Sequence, residues 1–536
     1  MFKNLKFMTL AAGTFMLLSS LAHAEAIIRN PGEATGQLIF LTTKDMEGEG
    51  SAKYKALNAM SIPVFAEQPH QLTLVAGTIT LDEQNINSHV QLKAIARKTP
   101  NLDLSKEPGG VNGETLKNFK DGDWVQMALV KGQAPKISKA TKKDAESALA
   151  ARKAKLKPVT LKADLSVKQI FTHEQLRSKD LDKVGAKAAN YAELVNAMNT
   201  ASRTVIRPGY AIPFYFYQQF LDENPDIKAE LFDPNTGIYN DPMMDEAENT
   251  AYRVERLTKV QEMIRGPSKV DDALVDQLIA LFDKERGPDG LPRKMKLRSS
   301  TNSEDLPDFN GAGLYDSYAY KPVKKASKKK GREKPEEKSQ DAKRESLKET
   351  LRWLWSSIFN QRAWEERTAF GIPHDQVKMG VEVNPSFSNE ELDGVVITKN
   401  VARHTEIKDP GVYIEAQRGD KYGVANPEAG VKPEQILVTI DANDPLNASK
   451  YKIHRLQKSN IADDNSTIMP ADNPKDVMLD AEVIDLVQLV KKAEAHFKPI
   501  MGKDKEDFAL DLEFKVDKED SGRRQVYLKQ ARPYID

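Results

Sequence analysis

Short apolar runs separated by turns fill the chain from Ile27 to about Asp103, among them "GQLIFLTT", "SIPVFA" and "LTLVAGTITL". Runs of this length bounded by turn formers predict strands, so the stretch reads as a compact α/β or β-rich unit. After Gly185 the period changes: Ala188, Tyr191, Leu194, Val195 and Met198 recur at helical spacing. Leu274, Leu278, Leu281 and Phe282 mark a second helix, and Leu351, Leu354, Ile358 and Phe359 a third. The final third returns to strand-like runs: "VKMGVEV", "DGVVITKN", "GVYIEA", "QILVTI", "FALDLEFKV" and "QVYLKQARPY". The polar turn "DKEDSGRR" separates the last two, and no internal repeat is visible.

Three stretches stand outside this pattern. Residues 1–24 combine Lys3 and Lys6, an apolar core from Phe7 to Leu21, and Ala22-His23-Ala24, the layout of an export signal cleaved before Glu25. They place the protein in the periplasm or outside the cell. No later run is long and apolar enough for a membrane span. Residues 136–165 are rich in lysine and alanine and read either as a mobile charged linker or as a solvated helix. Residues 324–345, "KKASKKKGREKPEEKSQDAKRE", read as a disordered basic insertion, either solvated or in contact with an anionic polymer. The expected order is therefore a unit at 25–135, the linker, and a larger unit at 166–536.

Composition narrows the chemistry. The 79 Lys and Arg balance the 79 Asp and Glu, so no net field draws the chain to nucleic acid or to a membrane surface. With no cysteine there is no disulfide, thiol nucleophile or cysteine metal site.

Candidate chemistry gathers in three places. Asp511 and Glu513, two apart on a strand, share one face, and a turn centred near Asp520 and Ser521 puts Asp511 opposite Gln530. Two such carboxylates either form a solvated polar face or hold a hard cation, for which Mg²⁺ with substrate phosphates is the natural choice. "VGAKAAN" puts a glycine turn and Lys187 at a helix start, where free N–H groups favour anions. "LRSSTNSEDLPDFNGAG" offers the planar fork of Arg298, the hydroxyls of Ser299 and Ser300, and a turn at Gly311 to Gly313. It is either a phosphate site or an ordinary loop, with Glu304 and Asp305 organising it.

Taken in order, "VGAKAANYAEL", "RPGYAIPFYFYQQFL", "LRSSTNSEDLPDFNGAGLYDS", "LWSSIFNQRAWEER" and "DLEF…YLKQARP" resemble the nucleotide-binding domain of the pyruvate phosphate dikinase and phosphoenolpyruvate synthase family. "AIPF" and "GAGLYDS" are closest to its alpha-glucan water dikinase branch. The resemblance runs from about Leu181 to Asp536 and implies an ATP-grasp-like fold using ATP and Mg²⁺. It implies that Lys187, Arg298 and Ser299 contact the nucleotide phosphates. Glu415, in the "IEA" strand, and Gln530 would assist at the nucleotide, and Asp511 and Glu513 would hold the metal. "QRGDKYG" at 417–423 departs from the family's Gly-Leu-Gly-Glu, and the lysine-rich insertion has no expected counterpart.

The family carries phosphate on a histidine of a separate swivelling domain. Since the chain ends just after "QARPYID", that domain is expected first, as in the glucan water dikinases. Ser88-His89-Val90 resembles the family's Leu-Ser-His-Val segment, with Asn87 in place of the usual apolar residue or threonine. A neutral imidazole is a nucleophile near neutral pH, which suits His89 as carrier. The expected activity is a dikinase with ATP and an acceptor such as a polysaccharide. The alternatives are a protein phosphotransfer partner and a non-catalytic nucleotide-binding module.

Overall fold

The computed structural model describes residues 26–534, apart from 48–49, 70–71, 83, 85–90, 92–93, 96, 158, 305, 307–308, 310, 312, 325–334, 388, 403–404, 419–423, 425–430, 462–474, 503–506 and 520. Three main sheets organise it, and the mixed α/β class matches the sequence expectation.

The first sheet has seven strands in the order Ile27–Asn30, Asn101–Asp103, Thr78–Thr80, Ser61–Phe65, Gly32–Leu41, Trp124–Leu129 and Lys136–Lys139. Its inner four strands are parallel and the outer pairings antiparallel. Ser61–Phe65 is buried along its whole length, as an inner parallel strand should be. Of the two readings of 136–165, the mobile linker is corrected here and the solvated packed helix holds. Lys136–Lys139 is an edge strand of this sheet, and Lys142–Ala154 is a helix packed on Gly32–Leu41. The helix starts at a capping box in which Thr141 and Asp144 satisfy each other's backbone N–H. Its lysines face solvent while Ala145 is buried, so a charged composition here records an exposed helix face.

The second sheet is antiparallel, in the order Ser317–Tyr320, Met295–Thr301, Met379–Pro385, Tyr210–Ile212 and Phe171–Thr172. Helices Phe214–Asp222, Thr250–Arg265, Asp272–Phe282 and Gln340–Ser356 bury Leu257, Leu278, Leu351 and Trp355 in one core with it. The basic insertion is also shorter than expected. Val323–Lys324 pairs with Glu336–Glu337, and the helix begins at Gln340. Lys343 inside it is buried, with Nζ 2.7 Å from Asp283 and ion-paired to Glu337. Only 325–334 of that stretch lies outside the described residues.

The third sheet has six antiparallel strands: Lys452–Gln457, Glu434–Thr439, Gly411–Arg418, Glu390–Ile397, Leu510–Lys518 and Arg524–Pro533. One face is apolar and packs on helices Asp480–Met501 and Ala186–Met198 through Val396, Ile414, Leu512, Phe514, Val487 and Leu194. The alternate residues give it a second, polar face. Arg207 ties this sheet to the second one. It donates to the Ser386 carbonyl at 3.0 Å, pairs with Asp517, and lies over the Phe387 and Tyr527 rings. No described helix is long and apolar enough to cross a membrane.

The seven-stranded unit docks on helix Gln361–Ala369, which carries part of the "LWSSIFNQRAWEER" motif. Arg97 pairs with Glu366, and both are buried. Glu365, beside it, accepts from Thr73 of the same unit and from Arg253 at 3.0 Å. Removing one partner of a buried pair strands the other charge. Glu366→Ala should therefore weaken the docking by about 3–5 kcal/mol. The expected readout is a separate, earlier transition for the seven-stranded unit in urea unfolding, against a single coincident one in the parent.

Candidate active site

The site is built where helix Ala186–Met198 meets the second and third sheets. Gly185 opens the helix at φ +87°, and a Cβ there would lie 2.4 Å from the Ser300 carbonyl, so only glycine lets the strand approach this closely. The approach lets the Ser300 hydroxyl accept from the Ala188 N–H at 2.9 Å. Next to Ala188, Lys187 Nζ stands 3.0 Å from Glu304 and 3.4 Å from Ser299 Oγ. Glu304 is buried and its other oxygen accepts from the Thr301 N–H at 2.8 Å, so it does organise the loop. Lys187, Ser299 and Ser300 are thus one cluster, brought together from 112 residues apart.

Arg298 projects from the opposite face of its strand to Ser299. Its Nη1 donates to Glu382 at 2.9 Å and to Asn384 at 3.1 Å, both on the neighbouring strand Met379–Pro385. Glu382 is fully buried and its carboxyl is pushed up by burial, with Arg298 opposing. Burial pulls Arg298 down, but the charge and hydrogen bond of Glu382 together with Tyr191 and Glu513 outweigh it and raise it. Beyond Glu382 lies His173, wholly buried, at 3.8 Å from the Glu382 oxygen that Arg298 leaves without a hydrogen bond. Among the described residues neither ring nitrogen of His173 makes a hydrogen bond of good geometry, although the Tyr210 backbone lies close enough to favour the charged ring. Burial, and then the Arg298 charge, lower its pKa to about 3.

The polar face of the third sheet supplies the carboxylates. Gln435, Glu415, Val395, Glu513 and Gln530 pair directly across five strands and form one row. Directly paired residues point the same way, so Glu415, Glu513 and Gln530 share the face. Glu415 is fully buried and accepts from Tyr413 Oη and Gln435 Nε2, each at 3.0 Å. The next row puts Asp511 opposite Arg532, not opposite Gln530 as expected. The turn centres on Ser521, with Gly522 at φ +83°, which moves the register by one residue. A bulge at Lys529 moves it by one more. Arg532 holds Asp511 at 2.7 Å, a contact that turn-based register placement hid.

Several charged groups escaped the sequence reading. Lys529, in the bulge, stands 3.8 Å from Glu513. Burial, and then Arg298, lower its pKa to about 8. Lys296 falls to about 8 by burial beside Arg298. Asp393, paired in register with Lys515, rises to about 7 through burial, with Lys515 opposing. The charge coupling of Arg298 with Glu513 and Lys529 puts the second sheet's cations across from the third sheet's carboxylates. The available signal was a charged residue inside an apolar strand run, as Glu382 is in "VKMGVEV".

Asp511 and Glu513 form an adjacent pair on one face, two residues apart, and Glu513 is the more open of the two. Among the described residues no group of three or more His, Cys, Asp or Glu could hold a metal alone. Mg²⁺ usually takes one or two protein carboxylates and completes its shell with phosphates and water, so the pair fits a cation that arrives with a nucleotide. His89 lies outside the described residues. Gln84 and Gln91, on either side of segment 85–90, both hydrogen-bond the Asn101 side chain, at 2.9 and 2.7 Å. Of the loop at 417–423, Gln417 is buried and accepts from Ser459 Oγ at 2.6 Å, and 419–423 lie outside the described residues.

Residues 181–535 match the pyruvate phosphate dikinase AMP/ATP-binding domain, and the chain belongs to that family. It is 22% identical over 405 residues to a probable phosphoenolpyruvate synthase of Pyrococcus horikoshii, covering 69% of this chain and 44% of that protein. It is 25% identical over 375 residues to a probable phosphoenolpyruvate synthase of Methanocaldococcus jannaschii, covering 69% and 27%. It is also 24% identical over 284 residues to an uncharacterized phosphotransferase, YvkC, of Bacillus subtilis, covering 52% and 29%. The chain thus spans less than half the length of these relatives. The family uses ATP and Mg²⁺.

His173 gives a pH prediction. Its folded pKa of about 3 lies below the model-compound value of 6.5, so the unfolded chain binds the extra proton between these values. Stability is therefore lost as pH falls from 6.5 towards 3, by about 2–3 kcal/mol at pH 4.5. His173→Phe should remove that share of the acid sensitivity, seen as a smaller shift of the urea midpoint between pH 7 and pH 4.5.

Proposed function

We propose that this chain is an ATP-dependent phosphotransferase that moves the β-phosphate of ATP through His89 to an acceptor. The observation that carries this is the row Glu415, Glu513 and Gln530 with Arg298 of the second sheet coupled by charge to Glu513. Phosphoryl transfer needs cationic clamps, a metal on carboxylates and enforced alignment. Lys187 and Arg298 would bind phosphate oxygens. Asp511 and Glu513 would hold Mg²⁺, which would supply charge neutralisation to the phosphates.

The neutral imidazole of His89 attacks the β-phosphorus, and the bond to the oxygen shared with the α-phosphate breaks as AMP leaves. Water then takes the γ-phosphate as inorganic phosphate, leaving the β-phosphate on the imidazole. An acceptor hydroxyl takes it in the second half-reaction. In keeping with the alpha-glucan water dikinase resemblance, we assign that hydroxyl to a glucan or other carbohydrate. On the export-signal layout of residues 1–24 we assign the reaction to the space outside the cytoplasm, where it requires a supply of ATP. One observation favours a non-catalytic nucleotide-binding module instead: Lys187 and Arg298 are each already paired with a carboxylate.

ATP labelled separately at the β and γ positions decides between them. Acid-labile β-label on the protein, AMP release, and loss of both in His89→Ala are the expected results. Arg298→Ala should slow labelling by about 10²–10³-fold, the usual effect of removing one charge-stabilising donor. Tight ATP binding with no transferred label would overturn the carrier role and leave the binding module.

A further inference from the structure

A narrow cleft opens at the seam between the seven-stranded unit and the rest of the chain and shares no lining residue with the phosphate-binding cluster. Its walls are Ala59, Leu74, Leu149, Leu156, Ala247 and Ala369. The polar lining is sparse and mostly cationic. Arg152, Lys153 and Arg253 face Asp245 and Glu365, which leaves one positive charge in excess.

The arginines differ in how they are held. Arg253 is buried and spends its guanidinium on Glu365 at 3.0 Å and on the carbonyls of Met244 and Glu246. Arg152 is half-buried on the last turn of helix Lys142–Ala154. Its one hydrogen bond runs from Nη2 to the Arg97 carbonyl at 3.2 Å, and among the described residues no carboxylate lies within ion-pair distance of it. Glu366, the nearby carboxylate, is committed to Arg97. Burial, and then the Arg97 charge, pull the Arg152 pKa down, as expected for a guanidinium that lacks a counterion. A half-buried charge without a counterion is disfavoured, and an anion would supply what the protein does not.

We propose that this seam cleft binds a small amphipathic monoanion, its apolar body against Leu74, Leu149 and Leu156 and its carboxylate on Arg152. The occupant touches both units at once. The site is independent of the nucleotide site and of any phosphate transfer.

The test is titration of the full chain with octanoate by calorimetry, with and without saturating ATP and Mg²⁺. Saturable binding of one octanoate per chain, unchanged by ATP, is expected. Neutral 1-octanol should not displace it. Arg152→Gln should weaken binding by at least about tenfold, the share of a charge-assisted contact, while Arg152→Lys keeps most of it. Leu149→Trp fills the cleft from its solvent side, leaves Arg152 in place, and should abolish binding. Absence of saturable binding, displacement by ATP, or an Arg152→Gln affinity within about twofold of the parent would overturn the proposal. ATP binding measured on the same samples reads the nucleotide site separately.

Discussion

The candidate active site rests on one buried ion pair, Arg298 with Glu382, set between neighbouring strands of the second sheet. Taking two charges out of water is repaid only when each finds good partners. Arg298 has Glu382 and Asn384, but Glu382 keeps one oxygen without a hydrogen bond, facing a histidine that has none of good geometry. The pair is therefore incompletely satisfied on its inner side. On the outer side, Arg298 couples electrostatically to Glu513 and Lys529 of the third sheet. The charge state of the cleft therefore depends on this contact.

The cleft is charge-balanced rather than an electropositive hollow. Lys187 holds Glu304, Arg298 holds Glu382, Arg532 holds Asp511, and Lys515 holds Glu390. An entering polyphosphate would exchange partners with carboxylates already in place. Such an exchange keeps the unliganded cleft stable, because each cation carries its counterion until a phosphate competes for it. The lowered pKa values of Lys296 and Lys529, each due first to burial, mark two cations for which that balance is weakest.

Much of this was legible in the sequence because it depends on period. Strand and helix periodicity located the third sheet, the Gly185-capped helix and the face shared by Asp511 and Glu513. Pairing partners were not legible. Turn position and a bulge together shifted the last hairpin by two residues, which kept the faces and changed the neighbours. Asp511 therefore met Arg532 rather than Gln530. Charge runs misled where composition hid amphipathicity. Lys343 sits in a basic stretch yet is buried on Asp283 and Glu337, and the lysines before Ala154 line the outside of a packed helix. Glu382, His173 and Lys529 act through residues far along the chain, which no local window reveals.

The bulge at Lys529 also sets which deletions the last strand tolerates. Before it, Val526 and Leu528 face the core while Gln525 and Tyr527 lie on the polar side; after it, Ala531 is core and Gln530 and Arg532 are polar. The inward-facing positions change from even to odd at this one residue. Losing Lys529 alone would leave a regular strand with every remaining side chain on its present face. Losing Gln530 instead would let Lys529 take its place, with the same result, whereas losing any other residue between Gln525 and Arg532 would put part of the strand out of phase with the sheet. Length variation in this strand, if it occurs among related chains, has one permissive pair of positions, at the end of the carboxylate row.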